Sequence, residues 1–251
     1  MPRRDRILPV LQANVALFTR DPGPLIGRIV QPILLVLLLQ PLYASAMGDQ
    51  AGGTVQALLG HLVLFSLLGM SIVGTSILTE RRWCTFDRLR AAPARAPELL
   101  AGKAIPILGF LLVQQAVVLA LGVLVLGVRV SDYGLLLVAE LAWALTVLCV
   151  GAAVAMCVNS AAQLSAAIDI GSTVVAGLGG ALVPLAIMPG WAQAIAPVWP
   201  AYWAMESLRS AVHGDLHGTL ACSAVLVGIA AAAAAIAAVR LARGWGRNTL
   251  L

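Results

Sequence analysis

Charge is what this chain has least of. Only 11% of its 251 residues are Asp, Glu, Lys or Arg, while 61% are hydrophobic. A soluble domain of this length needs more charge than that to cover its surface. Cysteine is limited to Cys84, Cys149, Cys157 and Cys222, three in or beside apolar runs and one in a basic loop. That spacing excludes a disulfide framework or a CxxC metal site and leaves four small apolar side chains. A phosphate-binding GxxxxGK[ST] loop is also missing. Gly102-Lys103 is the only Gly-Lys pair, Ala104 follows it, and Pro97 stands where the first glycine belongs. The chain therefore does not bind ATP through such a loop, and an ATP-driven process needs a second polypeptide. The net charge of +5 does not point to nucleic acid. Its basic residues sit at the ends of apolar runs rather than in a basic-aromatic patch.

What is present is a series of long apolar runs, with a mean hydropathy of +0.95. Runs of this kind in lipid must be helices or closed barrels, and barrel strands would alternate at period two, which these do not. The expectation is an all-α integral membrane protein forming a single transmembrane domain over 1–251. A spanning helix needs about 20 apolar residues. Spans are predicted at 25–47, 55–78, 99–126, 135–158, 164–187 and 216–239. Arg3, Arg4, Arg6 and Arg20 precede the first span, and Arg81, Arg82, Arg88, Arg90, Arg95 and Lys103 lie around the loop between spans two and three. Arg240, Arg243 and Arg247 follow the last, while the other side offers only Arg129 and Arg209. This asymmetry puts both termini in the cytoplasm, which requires an even number of spans, and six satisfies it. Ala44-Ser45-Ala46 looks like a signal-peptidase site, but the run before it is long enough to span, and no cleavage is expected.

Two segments are neither spans nor simple loops. Residues 7–20 place Val10, Leu11, Leu17 and Phe18 on one arc, which suits a helix lying in the inner interface before Asp21-Pro22-Gly23-Pro24 breaks it. Residues 188–215 carry Pro189, Pro197 and Pro200 among Trp191, Trp199, Tyr202 and Trp203. They are expected to form short re-entrant helices at headgroup depth on the outer side.

Residues 80–98 are the most informative. Read as a helix, they put Trp83, Phe86 and Leu89 along one flank with Arg81 and Arg88 facing away, and Pro93 and Pro97 then end it. A short amphipathic helix of this kind can dock in a partner's groove, with its charges setting the register. A basic loop that only sets topology would look similar. The order Thr85, Asp87, Arg88, Leu89, Pro93, Leu100, Gly102, Lys103 resembles the coupling-loop signature of ABC-2 type permeases. Phe86–Arg90 is similar to the daunorubicin-resistance type of membrane subunit, and Cys84 departs from the usual glycine. Thr19-Arg20-Asp21-Pro22 followed by Pro32 resembles the family's approach to span one. The outer motif from Pro200 through Glu206-Ser207-Leu208-Arg209 resembles the segment before its span six.

The resemblance implies an ABC-2/ABCG-like exporter fold in the bacterial inner membrane. It implies a cytoplasmic ABC ATPase in two copies that holds the ATP and Mg, and a second permease copy forming a homodimer. It assigns Glu80, Arg81, Trp83, Thr85, Phe86, Asp87, Arg88, Leu89 and Arg90 to coupling with the ATPase. Spans two and five would face the partner half, with a hydrophobic drug, antibiotic or lipid-like substrate passing between protomers.

Ionisable residues at membrane depth are costly and become candidates for function. Glu140 falls in the outward part of span four and Asp169 near the inner end of span five, with Ser172 and Thr173 following it; these four are the candidate lining of the route. Arg28 and His61 are expected to snorkel, and Gln114 and Gln115 to bond across helices. Ala176, Gly177, Gly179 and Gly180 read as a close-packing face. His213 and His217 could share a metal on one helical face, but with no third ligand nearby and a turn between them they read as solvent-side residues.

Two other classes compete. An ion-coupled secondary transporter would show inverted repeats with broken helices; Pro106 and Pro184 interrupt spans three and five, but no internal repeat accompanies them. A membrane enzyme needs converging acids, bases or ligands, and Glu140, Asp169, His61 and His213 are scattered in depth. Export is the leading expectation.

Overall fold

The computed structural model describes residues 23–82 and 96–242. The helix expected at 7–20, most of the loop at 80–98 and the tail from 243 lie outside the described residues. Trp83, Thr85, Phe86, Asp87, Arg88, Leu89 and Arg90 fall there, while Glu80 and Arg81 belong to the last turn of a described helix.

Among the described residues every regular element is helical. They are α1 (Gly23–Met47), α2 (Gln50–Arg82), α3 (Ala96–Leu124), α4 (Tyr133–Cys157) and α5 (Ala161–Leu178). Then come a 3-10 turn at Leu185–Ile187, α6 (Gly190–Ile195), a second at Ala196–Val198, α7 (Pro200–His213) and α8 (Leu216–Ala242). Six helices, α1 to α5 and α8, are long and apolar enough to cross a bilayer. This is a multi-pass membrane protein.

The helices begin where the local chemistry allows. Asp132 caps α4, its carboxylate accepting from the backbone N–H of Gly134 and Leu135 (2.7 and 3.1 Å). Ser160 caps α5 by accepting from Gln163 (3.2 Å). Pro200 at the first turn of α7 lacks the N–H that would go unbonded there.

The expected fifth span ran to residue 187, but α5 stops at Leu178. Gly180 adopts φ +85°, and the Ala181 N–H reaches back to the Ala176 carbonyl at 2.9 Å. That is a Schellman stop, so Gly179 and Gly180 end the helix, and the bare Gly179 also lets α7 pack close, since a Cβ there would stand 2.7 Å from Ala201 Cβ and 2.9 Å from the Tyr202 backbone nitrogen. Pro184 then opens the 3-10 turn, and prolines divide the rest of the segment as far as α7.

Two helices form the interior. In α2 and α4, 61% of the spanning stretch is buried, against 22% in α1, α5 and α8 and 33% in α3. α2 packs on α1, α3, α4, α5 and α7, and the broadest contact is α4 on α8. Ala139, Ala142 and Ala153 of α4 and Ala230 and Ala233 of α8 are buried, and Thr146 donates to the Leu226 carbonyl (3.0 Å). Lipid offers little hydrophobic drive between helices, so small side chains and interhelical hydrogen bonds hold them together.

Candidate functional site

The outer motif forms a cross-linked cluster at the α7 end of the bundle. Arg209 donates through Nη1 to Glu206 Oε1 at 2.7 Å and through Nη2 to Gln56 Oε1 of α2 at 2.8 Å. Gln56 Nε2 in turn donates to the carbonyls of Gly180 and Ala181, at 2.8 and 3.3 Å. From α1, the Tyr43 hydroxyl donates to the Leu182 carbonyl at 2.6 Å. A Cβ on Gly60 would stand 2.1 Å from the Ala181 carbonyl oxygen, so only glycine lets the turn sit this close to α2. Three helices thus hold the loop that leaves α5, through hydrogen bonds that a charged group strengthens. Pro200 contributes only as the start of α7.

A second group of polar side chains lies on one flank, towards the opposite end. The Arg28 guanidinium of α1 does not snorkel. It donates to the Leu68 carbonyl of α2 at 3.0 Å and makes a short bond to the Ser71 hydroxyl. Asp169 of α5 is exposed and stands close enough to act on the Arg28 charge. Position along the bundle agrees: Leu164 of α5 meets Gly74 of α2, and a few residues on towards the α7 end of each helix lie Asp169 and Ser71. Thr173, Ser165, Thr75 and Gln31 are exposed on the same three helices. The remaining outer surface is different. From Leu220 to Val239, every exposed residue of α8 is Ala, Gly, Leu, Val or Ile. On α3 the exposed positions from Ile105 to Leu124 are likewise apolar.

The other expected lining residues are not on that flank. Ser172 is fully buried, one helical position from exposed Thr173, and its hydroxyl has no hydrogen-bond partner. Glu140 is buried inside the protomer with both carboxyl oxygens unpartnered. It shares the flank of α4 with Gly151, three turns on, which packs on Met70 and Val73 of α2. Asp169 and Thr173 therefore line a surface, whereas Glu140 and Ser172 belong to the interior.

His61 is 1% exposed; its Nδ1 bonds the Ala57 carbonyl at 2.7 Å, and its ring meets Tyr43 edge-on at 6.0 Å. Gln115 bonds Ser66 across α3 and α2 at 3.0 Å. His213 turns back to the Arg209 carbonyl, and left-handed Gly214 separates it from His217. Sequence reasoning missed Gln56, Tyr43 and the hooked posture of Arg28. A polar residue inside an apolar run was the available signal for all three.

Among the described residues no three His, Cys, Asp or Glu side chains gather to hold a metal. The polar groups instead fasten helices and dress one face of a bundle, an arrangement suited to recognition and to switching between packings.

Comparison with known proteins places these features. The ABC-2 type transporter family model matches residues 7–213. A daunorubicin resistance ABC transporter permease protein of Streptomyces coeruleorubidus is 27% identical over 223 residues, covering 84% of this chain and 78% of the relative. With a family model spanning most of its length, this chain belongs to the ABC-2 type transporter family and is the membrane subunit of an ABC transporter.

Proposed function

We propose that this subunit exports a hydrophobic or amphiphilic compound, a drug, antibiotic or lipid-like molecule, from the bacterial inner membrane or cytoplasm. Two copies pair with two cytoplasmic ATPase subunits, which bind ATP and Mg. Both termini lie in the cytoplasm, so the α7 end faces outward and the Arg28–Asp169 region lies in the inner leaflet.

The observation that carries this reading is the uneven outer surface. A carboxylate facing hydrocarbon is expensive, while Ala- and Leu-type side chains there cost nothing. The flank formed by α1, α2 and α5 is therefore turned away from lipid, towards a second copy and a polar route between the two. ATP binding closes the ATPases, residues 80–98 carry that motion into α2 and α3, and the cluster around Arg209 holds or releases the outer end. The relative's name supports a drug-like cargo, since that protein is a daunorubicin resistance permease.

The test is cross-linking in a chain whose four cysteines have been replaced by serine. Thr173→Cys is expected to form a disulfide-linked dimer, and Leu220→Cys on α8 to remain monomeric. Cross-links from α8 alone would overturn the assignment of the face. Coexpression with a neighbouring ATPase tests the coupling loop. Arg88→Glu and Phe86→Ala are expected to leave the chain folded while turnover is lost or uncoupled. Variants that behave like the parent, with no ATPase copurifying, would favour an ion-coupled transporter.

A further inference from the structure

Arg28 and Asp169 are opposite charges at one depth, yet they do not touch: among the described residues the one direct ion pair is Arg209–Glu206. A pair kept only to neutralise itself in a membrane would be expected to close to contact, because separation leaves each group short of partners. Here each is held apart. Arg28 spends two N–H groups on Leu68 and Ser71 of α2, and a guanidinium has five. Asp169 projects from α5 with its carboxylate making no hydrogen bond among the described residues, while the Thr173 hydroxyl bonds only the Asp169 backbone carbonyl at 2.8 Å. Thr75 turns back in the same way to the Ser71 carbonyl at 2.7 Å, which leaves both hydroxyl oxygens free to accept.

We propose that Arg28, Ser71, Thr75, Asp169 and Thr173 form a binding site for the headgroup of a zwitterionic amphiphile. The anionic part of the headgroup, a phosphate or carboxylate, takes the remaining N–H groups of Arg28. The ammonium takes the Asp169 carboxylate and the threonine oxygens. The acyl or aromatic body lies against Ile170, which α5 exposes next to Asp169. A purely anionic headgroup would meet Asp169 and a purely cationic one would meet Arg28, so the two charges together select for a molecule carrying both. The proposal names a substrate class for the face described above and rests on the exporter reading only for what transport does with the bound molecule. Binding itself requires neither ATP nor an ATPase.

The experiment uses the full-length chain in nanodiscs containing equal amounts of phosphatidylethanolamine and phosphatidylglycerol, with retained lipid measured by mass spectrometry after detergent extraction. The parent chain is expected to retain the zwitterionic lipid in about fivefold excess, the scale set by a partly solvated ion pair. Asp169→Asn should shift the preference to phosphatidylglycerol. Arg28→Gln should retain neither phospholipid and should instead bind hexadecyltrimethylammonium added to the same nanodiscs. A structural role for the pair would lower stability in both variants without exchanging one charge preference for another. Should Arg28→Gln fail to fold, the shift in Asp169→Asn carries the test alone. No headgroup preference in the parent chain, the same preference in all three proteins, or dimers that retain no lipid would each overturn the site. Displacement by lysophosphatidylethanolamine added from water would identify a transported amphiphile, and resistance to it a resident bilayer lipid. No lipid binding by the parent chain, with Thr173→Cys still cross-linking the two copies in a separate experiment, would sink this site and leave the exporter reading standing.

Discussion

Gln56 is the residue on which the outer cluster turns, because it uses both ends of its amide. Its oxygen accepts from Arg209 and its nitrogen donates to the Gly180 and Ala181 carbonyls. Gln56→Ala takes away the amide that bonds the Gly180 and Ala181 carbonyls inside the protomer, and a buried orphan group costs about 1–3 kcal/mol. The variant should unfold at a lower temperature in detergent, and Arg209→Lys should follow it. A lysine offers one compact charge where the fork of arginine reaches Glu206 and Gln56 together. Glu140 predicts the opposite sign. Its two oxygens already lack partners, so Glu140→Leu, of similar volume, removes a standing penalty and should stabilise the chain by about 1–3 kcal/mol. Thermal unfolding measures this directly. A more stable Glu140→Leu protein that no longer exports would show that the carboxyl is kept for function at the expense of stability.

At the scale of elements, α2 packs on α1, α3, α4, α5 and α7, and its surroundings show how tightly. Gly60→Ala would drive a Cβ into a backbone carbonyl that Gln56 also holds, with no flexible atom to yield. Gly122→Ala in α3 meets only the side chain of Leu58, at 2.2 Å from one methyl and 2.9 Å from the other, which a rotamer change can move. The first substitution should therefore cost about 1–3 kcal/mol, the usual scale for overpacking, and the second clearly less. Unfolding both in the same detergent compares them. The same elements show what could be read from the chain beforehand. Six long apolar runs and a proline-broken segment before the last one were legible, because length and apolarity alone decide whether a helix can span. The end of α5 was misread, since apolar residues continue through Ala181-Leu182-Val183 and hide the stop at Gly179-Gly180. Arg28 was misread for a related reason. Distance from a span end says that a side chain can reach the interface, but not that a neighbouring helix offers it a carbonyl and a hydroxyl first. Within the candidate site, Asp169 stood out in the sequence as an ionisable group in an apolar run, and Thr173 only as a polar residue one turn further on. Gln56 and Tyr43 became meaningful only when the fold brought the Gly180–Leu182 loop against them.

At the scale of the whole molecule, α8 and α5 differ in the side chains they expose, and this difference can be measured without knowing the substrate. α8 shows hydrocarbon-compatible side chains over its exposed surface from Leu220 to Val239, whereas α5 shows Ser165, Asp169 and Thr173 one turn apart each time. A cysteine is alkylated by a water-soluble maleimide only where water reaches it and its thiolate forms. In a chain with its native cysteines replaced and kept reduced, Thr173→Cys and Ser165→Cys should react in membranes. Val227→Cys and Ile236→Cys on α8 should stay unmodified until detergent is added. If ATP-driven motion opens and closes a route along α5, the rate at Thr173→Cys should also change when the ATPase partner binds nucleotide, while the α8 positions stay silent. Equal reactivity on α5 and α8 would mean that the polar stripe faces lipid after all, and the route would then have to lie elsewhere in the bundle.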